Sequence, residues 1–180
     1  EPILARWRAS TSPPGHPFAN STQNLAAAKY QLGDISGAER LVREALALWR
    51  RIHDAPHERI ADALYSLGTT LAVAEKYDEA EQVLQEAASM YVLLFGPMHP
   101  QNAGMADGLG SLELDRQQPA KAVEYYLQAT SICTEARLES NADCARYWQN
   151  LSAAYLRMNK LGEAEAANMH GLELRRRLLG

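Results

Sequence analysis

The chain has 180 residues, a formal net charge of −4 and a pI near 5.7, with 47% apolar, 22% charged and 7% aromatic residues. That length suffices for one domain with a real core, and the charge balance speaks against wholesale disorder and leaves no electrostatic footprint for nucleic acid. No apolar run approaches the roughly 18 residues that a membrane span needs, and two cysteines make no disulfide framework, so buried thiols and a reducing, cytoplasmic compartment are expected, with an organellar one left open.

The chain starts at Glu1 without a signal-peptide pattern, which suggests an excised piece of a longer protein. Residues 1–18 read as a leader or as the tail of a preceding repeat, because Ile3 to Arg8 stand 42 positions before the similar Ala45 to Arg50. From there a 42-residue period runs without insertion or deletion. It carries Leu25, Leu67, Leu109 and Leu151; Ala38, Ala80, Ala122 and Ala164; Ala45, Ala87, Ala129 and Gly171; and Ala26, Gly68, Gly110 and Ser152. Four units follow, at about 19–58, 59–100, 101–142 and 143–180.

Each unit reads as two helices. In the second unit, Arg59 to Ala74 places Ile60, Leu64, Leu67 and Leu71 at three-and-four spacing, and Tyr77 to Tyr91 does the same with Ala80, Val83, Leu84, Ala87 and Met90. Glu75-Lys76 is the turn between them, as Gly33-Asp34 is in the first unit. The Ala and Gly series fall where paired helices cross most closely. Breaker-rich joints at Asp54 to His57 and Phe95 to Pro100 separate the units, and a third joint lies around Leu138 to Asn141. No strand alternation persists, so the chain is read as all-α.

Chemistry is sparse. His53 and His57 have an i, i+4 spacing, but Pro56 interrupts any helix there and His57 repeats at His99, which favours a loop role over a metal site. Cys133 and Cys144 lack the spacing of a zinc or redox pair. Gly104, Gly108 and Gly110 sit in helical phase with no strand before them, so no phosphate loop is read. Arg175 to Arg177 suit a helix C-terminus, where cations meet the negative end of the dipole. No catalytic constellation, metal set or cofactor motif is present, and no enzyme is expected.

Trp148-x2-Leu151-Ser152-x2-Tyr155 followed by Ala164 and Gly171 resembles the tetratricopeptide pattern. The 42-residue period, Asn24-Leu25-Ala26 and the Gly96 to Pro100 joint resemble the longer repeats of kinesin light chains. The resemblance implies an α-solenoid, a right-handed superhelix of stacked antiparallel helix pairs whose first helices line a concave groove. It points to a peptide-binding groove of Asn20, Gln23, Asn24 and Tyr30 in the first repeat and Tyr65 and Thr69 in the second. The third repeat would add Asp107 and Ser111, and the fourth Arg146, Gln149, Asn150 and Arg157. Amides there would hydrogen-bond a peptide backbone, since an amide donates and accepts at once.

The position that carries a lysine clamp in carboxylate-binding co-chaperones reads Gln23, Tyr65, Asp107 and Gln149, so that mode is not expected. Asp62, Asp107 and Asp115 would repel an acidic ligand. Lys29 and Glu113 stand where Tyr155 stands in the fourth repeat, and Asn168 replaces a large apolar residue, so those units should pack less well. The functional reading is a scaffold or adaptor that binds a protein segment. Its alternative is a regulatory or sensor segment whose groove holds part of the same chain. The apolar residues Leu172, Leu174, Leu178 and Leu179 of the last helix suggest that this end is covered, by further repeats or by self-association.

Overall fold

A computed structural model describes residues 15–136 and 141–179. The Ile3 to Arg8 segment and most of the third joint lie outside the described residues. Eight helices are described: α1 (His16–Gln31), α2 (Ile35–Ile52), α3 (Glu58–Val73), α4 (Tyr77–Phe95), α5 (Pro100–Asp115), α6 (Pro119–Glu135), α7 (Ala142–Arg157) and α8 (Leu161–Leu179). They pack as sequential antiparallel pairs, and the all-α repeat architecture read from the sequence is the one observed. The chain divides into two compact units, Glu1–Met90 and Tyr91–Gly180.

The 42-residue period is visible in the backbone itself. Left-handed φ values fall at Gly33 (79°), Glu75 (59°), Gln117 (60°) and Asn159 (58°), one at the end of each first helix. In every case the next residue's amide reaches back five positions. Asp34 N donates to the Lys29 carbonyl at 2.9 Å, Lys76 N to Leu71 at 3.0 Å, Gln118 N to Glu113 at 2.8 Å and Lys160 N to Tyr155 at 3.0 Å. This closure satisfies carbonyls that a helix end would leave bare and turns the chain directly into the partner helix.

Helix starts are capped at the same register. His57 Nδ1 accepts from Arg59 N at 3.1 Å, His99 Nδ1 from Gln101 N at 3.3 Å and Asn141 Oδ1 from Asp143 N at 2.9 Å. His57 and His99 therefore serve as N-caps, the loop role expected from their repetition.

Small residues set how closely each pair approaches. Ala38, Ala80, Ala122 and Ala164 are all at most 2% exposed. A Cβ built on Gly68 would lie 2.5 Å from Leu84 Cγ, and one on Gly110 would lie 2.7 Å from Tyr126 Cε1. Glycine is thus required where a larger side chain, Leu84 or Tyr126, arrives from the second helix. In the last pair Ser152 takes this place, and its Oγ donates to the Ala164 carbonyl at 2.7 Å. Within the first unit ion pairs lace the two second helices together. Arg43 meets Glu79 at 2.7 Å, Arg50 meets Glu86 at 2.7 Å and Lys76 meets Glu39 at 2.9 Å. The hydrogen bond from Lys76 holds the Glu39 carboxyl below its ordinary range.

The cysteine expectation is overturned. Cys133 near the end of α6 and Cys144 near the start of α7 form a disulfide, with Cα atoms 5.8 Å apart. Eleven residues of separation are too long for a zinc or redox pair, yet they carry the chain from the end of one helix to the start of the next, which returns beside it. An oxidised pair sits uneasily with the reducing compartment that the cysteine count suggested.

Two unusual positions fare differently: Lys29 is paired, whereas neither carboxylate oxygen of Glu113 has a hydrogen-bond partner among the described residues, and only looser charge contacts reach it. Glu113 is fully buried, with Arg116 at 3.7 Å and Lys121 at 4.0 Å, and Lys29 donates to Asp34 at 2.6 Å. At the end of the array the pattern changes. Val42, Leu46 and Trp49 of α2 and Tyr126, Thr130 and Cys133 of α6 are buried. Their equivalents in α8, Asn168, Leu172 and Arg175, are exposed, and two of the three are polar.

Candidate functional site

In the first unit α1 and α3 wall a cleft of about 370 Å³. It gathers all six groove residues expected from the first two repeats, namely Asn20, Gln23, Asn24, Tyr30, Tyr65 and Thr69. They converge because positions three, four and seven apart share one face of a helix, and the cleft runs between α1 and α3 down to the buried Ala26, Val42 and Thr70. Asn20 and Asn24 make no side-chain hydrogen bond to any described residue, so both amides are open to a ligand. Gln23 is committed, since its Oε1 accepts from Trp49 Nε1 at 3.0 Å. The Thr69 hydroxyl donates to the Ser66 carbonyl at 3.1 Å and keeps lone pairs toward the cleft. Tyr30 is 36% exposed and presents part of its ring to the cleft.

Arg59 at the rim, close enough to Asp62 for only a loose contact of 3.9 Å, and Ser66 also line the cleft. Sequence reasoning did not single out Arg59, although it stands in the first turn of α3, two residues after the His57 cap.

In the second unit the expected groove residues are occupied with one another. Asp107, 3% exposed on α5, accepts from the Arg146 guanidinium and from Asn150 Nδ2 at 2.7 Å, both on α7. Arg146 also reaches Asp143 at 3.2 Å and lies 4.9 Å over the Tyr147 ring. Burial works against the charge of Arg146, but Asp107 outweighs it and the guanidinium pKa is raised. The Asp107 charge, expected to repel acidic ligands, is met within the fold. Ser111 Oγ pairs with the Tyr126 hydroxyl at 3.1 Å, and burial pushes that phenol up to about 12 despite this hydrogen bond. Gln149 accepts from Arg175, and Arg157 stands exposed at the last residue of α7, outside the Asp107 cluster. The second unit thus offers a pre-satisfied polar cluster where the first offers an open cleft.

No group of three or more His, Cys, Asp or Glu side chains suited to a metal is present among the described residues. None of the described helices is long and apolar enough to cross a membrane. Residues 18–91 and 101–177 each match the sequence model of the tetratricopeptide repeat. The chain belongs to the tetratricopeptide-repeat family. No curated protein matches it significantly.

Solved structures place this tetratricopeptide array among relatives of the same fold. BtubC (BKLC) from P. vanneervenii superposes with a TM-score of 0.85 at 20% identity, over 99% of this chain and 71% of that one. A putative kinesin light chain from Podosopora anserina, with nearly identical TPR-like repeats, gives 0.79 at 16% identity, over 98% and 83%. MamA gives 0.64 at 19% identity, over 88% and 79%. At such identities the likeness is one of fold, and the resemblance to kinesin light chain-type repeats is a resemblance of architecture.

Proposed function

We propose that the chain is a non-enzymatic interaction module that holds a peptide segment of a partner protein in the α1–α3 cleft. The observation that carries this reading is the pair of uncommitted amides, Asn20 and Asn24, beside the half-exposed rings of Tyr30 and Tyr65. Asparagines four apart on one helix face meet an extended backbone with both donors and acceptors, and the tyrosines supply rigid contact area at small entropic cost. Scaffold or adaptor duty follows from the architecture, because stacked helix pairs expose long surfaces.

Asp107, Arg146 and Asn150 frame the second unit in this reading, and Asn150 would contact a ligand only by leaving Asp107. Self-association through α8 draws less support, since Asn168 and Arg175 make polar two of the three positions that are buried in α2 and α6. Selection of a random-peptide display library on the whole chain tests the proposal. A consensus should emerge whose binding falls at least roughly tenfold, about 1.4 kcal/mol, in Asn24→Ala and in Tyr65→Ala. A library that yields no consensus, or one indifferent to both changes, would refute it.

A further inference from the structure

The Cys133–Cys144 disulfide belongs to a core cluster with Ala103, Ala106, Ala129, Ile132 and Tyr147, and the two residues are 3% and 1% exposed. Buried sulfurs are ordinarily inert, because exchange requires a thiolate to reach them. Here a cavity of about 360 Å³ leads to both, walled by Trp148 on α7 and by His170, Glu173, Leu174 and Arg177 on α8. Trp148 and His170 stack at 4.7 Å along one side of it. Glu173 and Arg177 pair at 2.5 Å across one turn, which leaves the α8 wall close to neutral. Admission is therefore decided by size rather than by charge, and the volume suits a molecule of a few linked residues at most.

We propose that Cys133–Cys144 is a thiol-exchange site at which low-molecular-weight thiols enter this cavity and open the bond in the folded protein. A thiolate forms a bond to one cysteine sulfur, the Cys133–Cys144 bond breaks, and the other sulfur leaves as a thiolate that takes up a proton. A second thiol then attacks the mixed disulfide, releases the remaining cysteine and departs as the disulfide of the small thiol. Two thiols have given two electrons to the protein, and their two protons end on Cys133 and Cys144.

The consequence falls on α7. Cys144 is its third residue, and Arg146 and Asn150 follow within two turns to hold Asp107. The bond ties this start of α7 to α6. Once it opens, the first turns of α7 keep the Asn141 cap, the Asp107 hydrogen bonds and the packing of Ala145 and Tyr147 but lose their covalent tie to α6, and their local opening becomes easier. The exchange site stands independently of any peptide ligand.

The test uses the intact oxidised chain under native conditions, with 2-mercaptoethanol, glutathione and a thiol coupled to a bulky polymer. Free cysteines are counted by alkylation and mass spectrometry. The small thiols should reduce the bond at rates proportional to their concentration, and the polymer thiol roughly tenfold or more slowly. Leu174→Trp, which fills the cavity, should slow the small thiols by a similar factor. Hydrogen exchange in the reduced chain should rise by roughly tenfold at residues 142–150 and stay unchanged at residues 15–90. Reduction at a rate independent of thiol size and concentration would mean that the bond opens only on unfolding, and would overturn the proposal. So would unaltered exchange at residues 142–150. The size series on the unaltered chain decides the matter even if Leu174→Trp does not fold.

Discussion

Two glycines on α5 should respond to the same substitution with opposite signs. Alanine in a helix interior gains about 1 kcal/mol over glycine from backbone entropy. At Gly104 the added Cβ would find Tyr147 Oη at 3.6 Å, an ordinary contact, so Gly104→Ala should stabilise by about 0.5–1 kcal/mol. At Gly110 it would lie 2.7, 2.8 and 3.0 Å from three atoms of the Tyr126 ring. That ring is 1% exposed and anchored through Ser111, so it cannot swing aside. Overpacking of this kind costs about 1–3 kcal/mol. Set against the helix gain, Gly110→Ala should be destabilised by up to about 2 kcal/mol. Urea unfolding monitored by far-UV circular dichroism reads both. Adding Tyr126→Val, which recreates the Ala26 and Val42 combination of the first repeat, should make Gly110→Ala harmless in a double-mutant cycle. Equal midpoints for the two alanine variants would show that the α5–α6 crossing is not as described.

Three further outcomes are expected. Glu75→Gly should stabilise by about 1 kcal/mol, because Glu75 holds a left-handed φ of 59° that glycine adopts freely, and Gly33→Ala should lose a similar amount with no steric contact to blame; thermal unfolding of both variants checks this. Glu113→Leu should leave stability unchanged or higher, whereas Arg116→Ala should cost about 2 kcal/mol or more by stranding a fully buried carboxylate, as urea titration would report. His53 should make the first unit acid-sensitive. Burial, then the neighbouring His57 and His16, depress its pKa below the ordinary 6.5, and its Nε2 is buried without a partner. Below that value the unfolded chain binds a proton that the folded chain resists, so stability should decline as pH falls through about 6.5 toward the depressed value. His53→Phe, which keeps the stack with Trp49, should flatten the melting temperature across that range.

The helices were legible because the repeat constrains them several times over. Leu67, Leu109 and Leu151 fall within the buried faces of α3, α5 and α7, and the turn after Val73 could be read at Glu75 because Gly33 stands one period earlier. The cleft was legible only through the resemblance to tetratricopeptide repeats, which directs Asn20, Asn24 and Tyr65 toward one groove; helical spacing by itself does not name them. What joins helices of neighbouring repeats was not. Asp107 looked like a repulsive charge because its partner, Arg146, lies 39 residues on, a separation that no single-helix pattern displays. The disulfide escaped notice because spacing rules for cysteine describe local motifs. Cys133 and Cys144 meet only because one helix ends where the next begins. Their positions in the repeat, the end of a second helix and the start of the following first helix, were the available signal.

The central claim is that the α1–α3 cleft is the seat of a bound peptide. A display-selected peptide carrying a benzophenone in place of one residue, photolysed with the whole chain and mapped by mass spectrometry, tests this directly. Adducts confined to residues 20–31 and 59–70 are predicted. Adducts on the outward face of α2 or on α8, with none in the cleft, would contradict it.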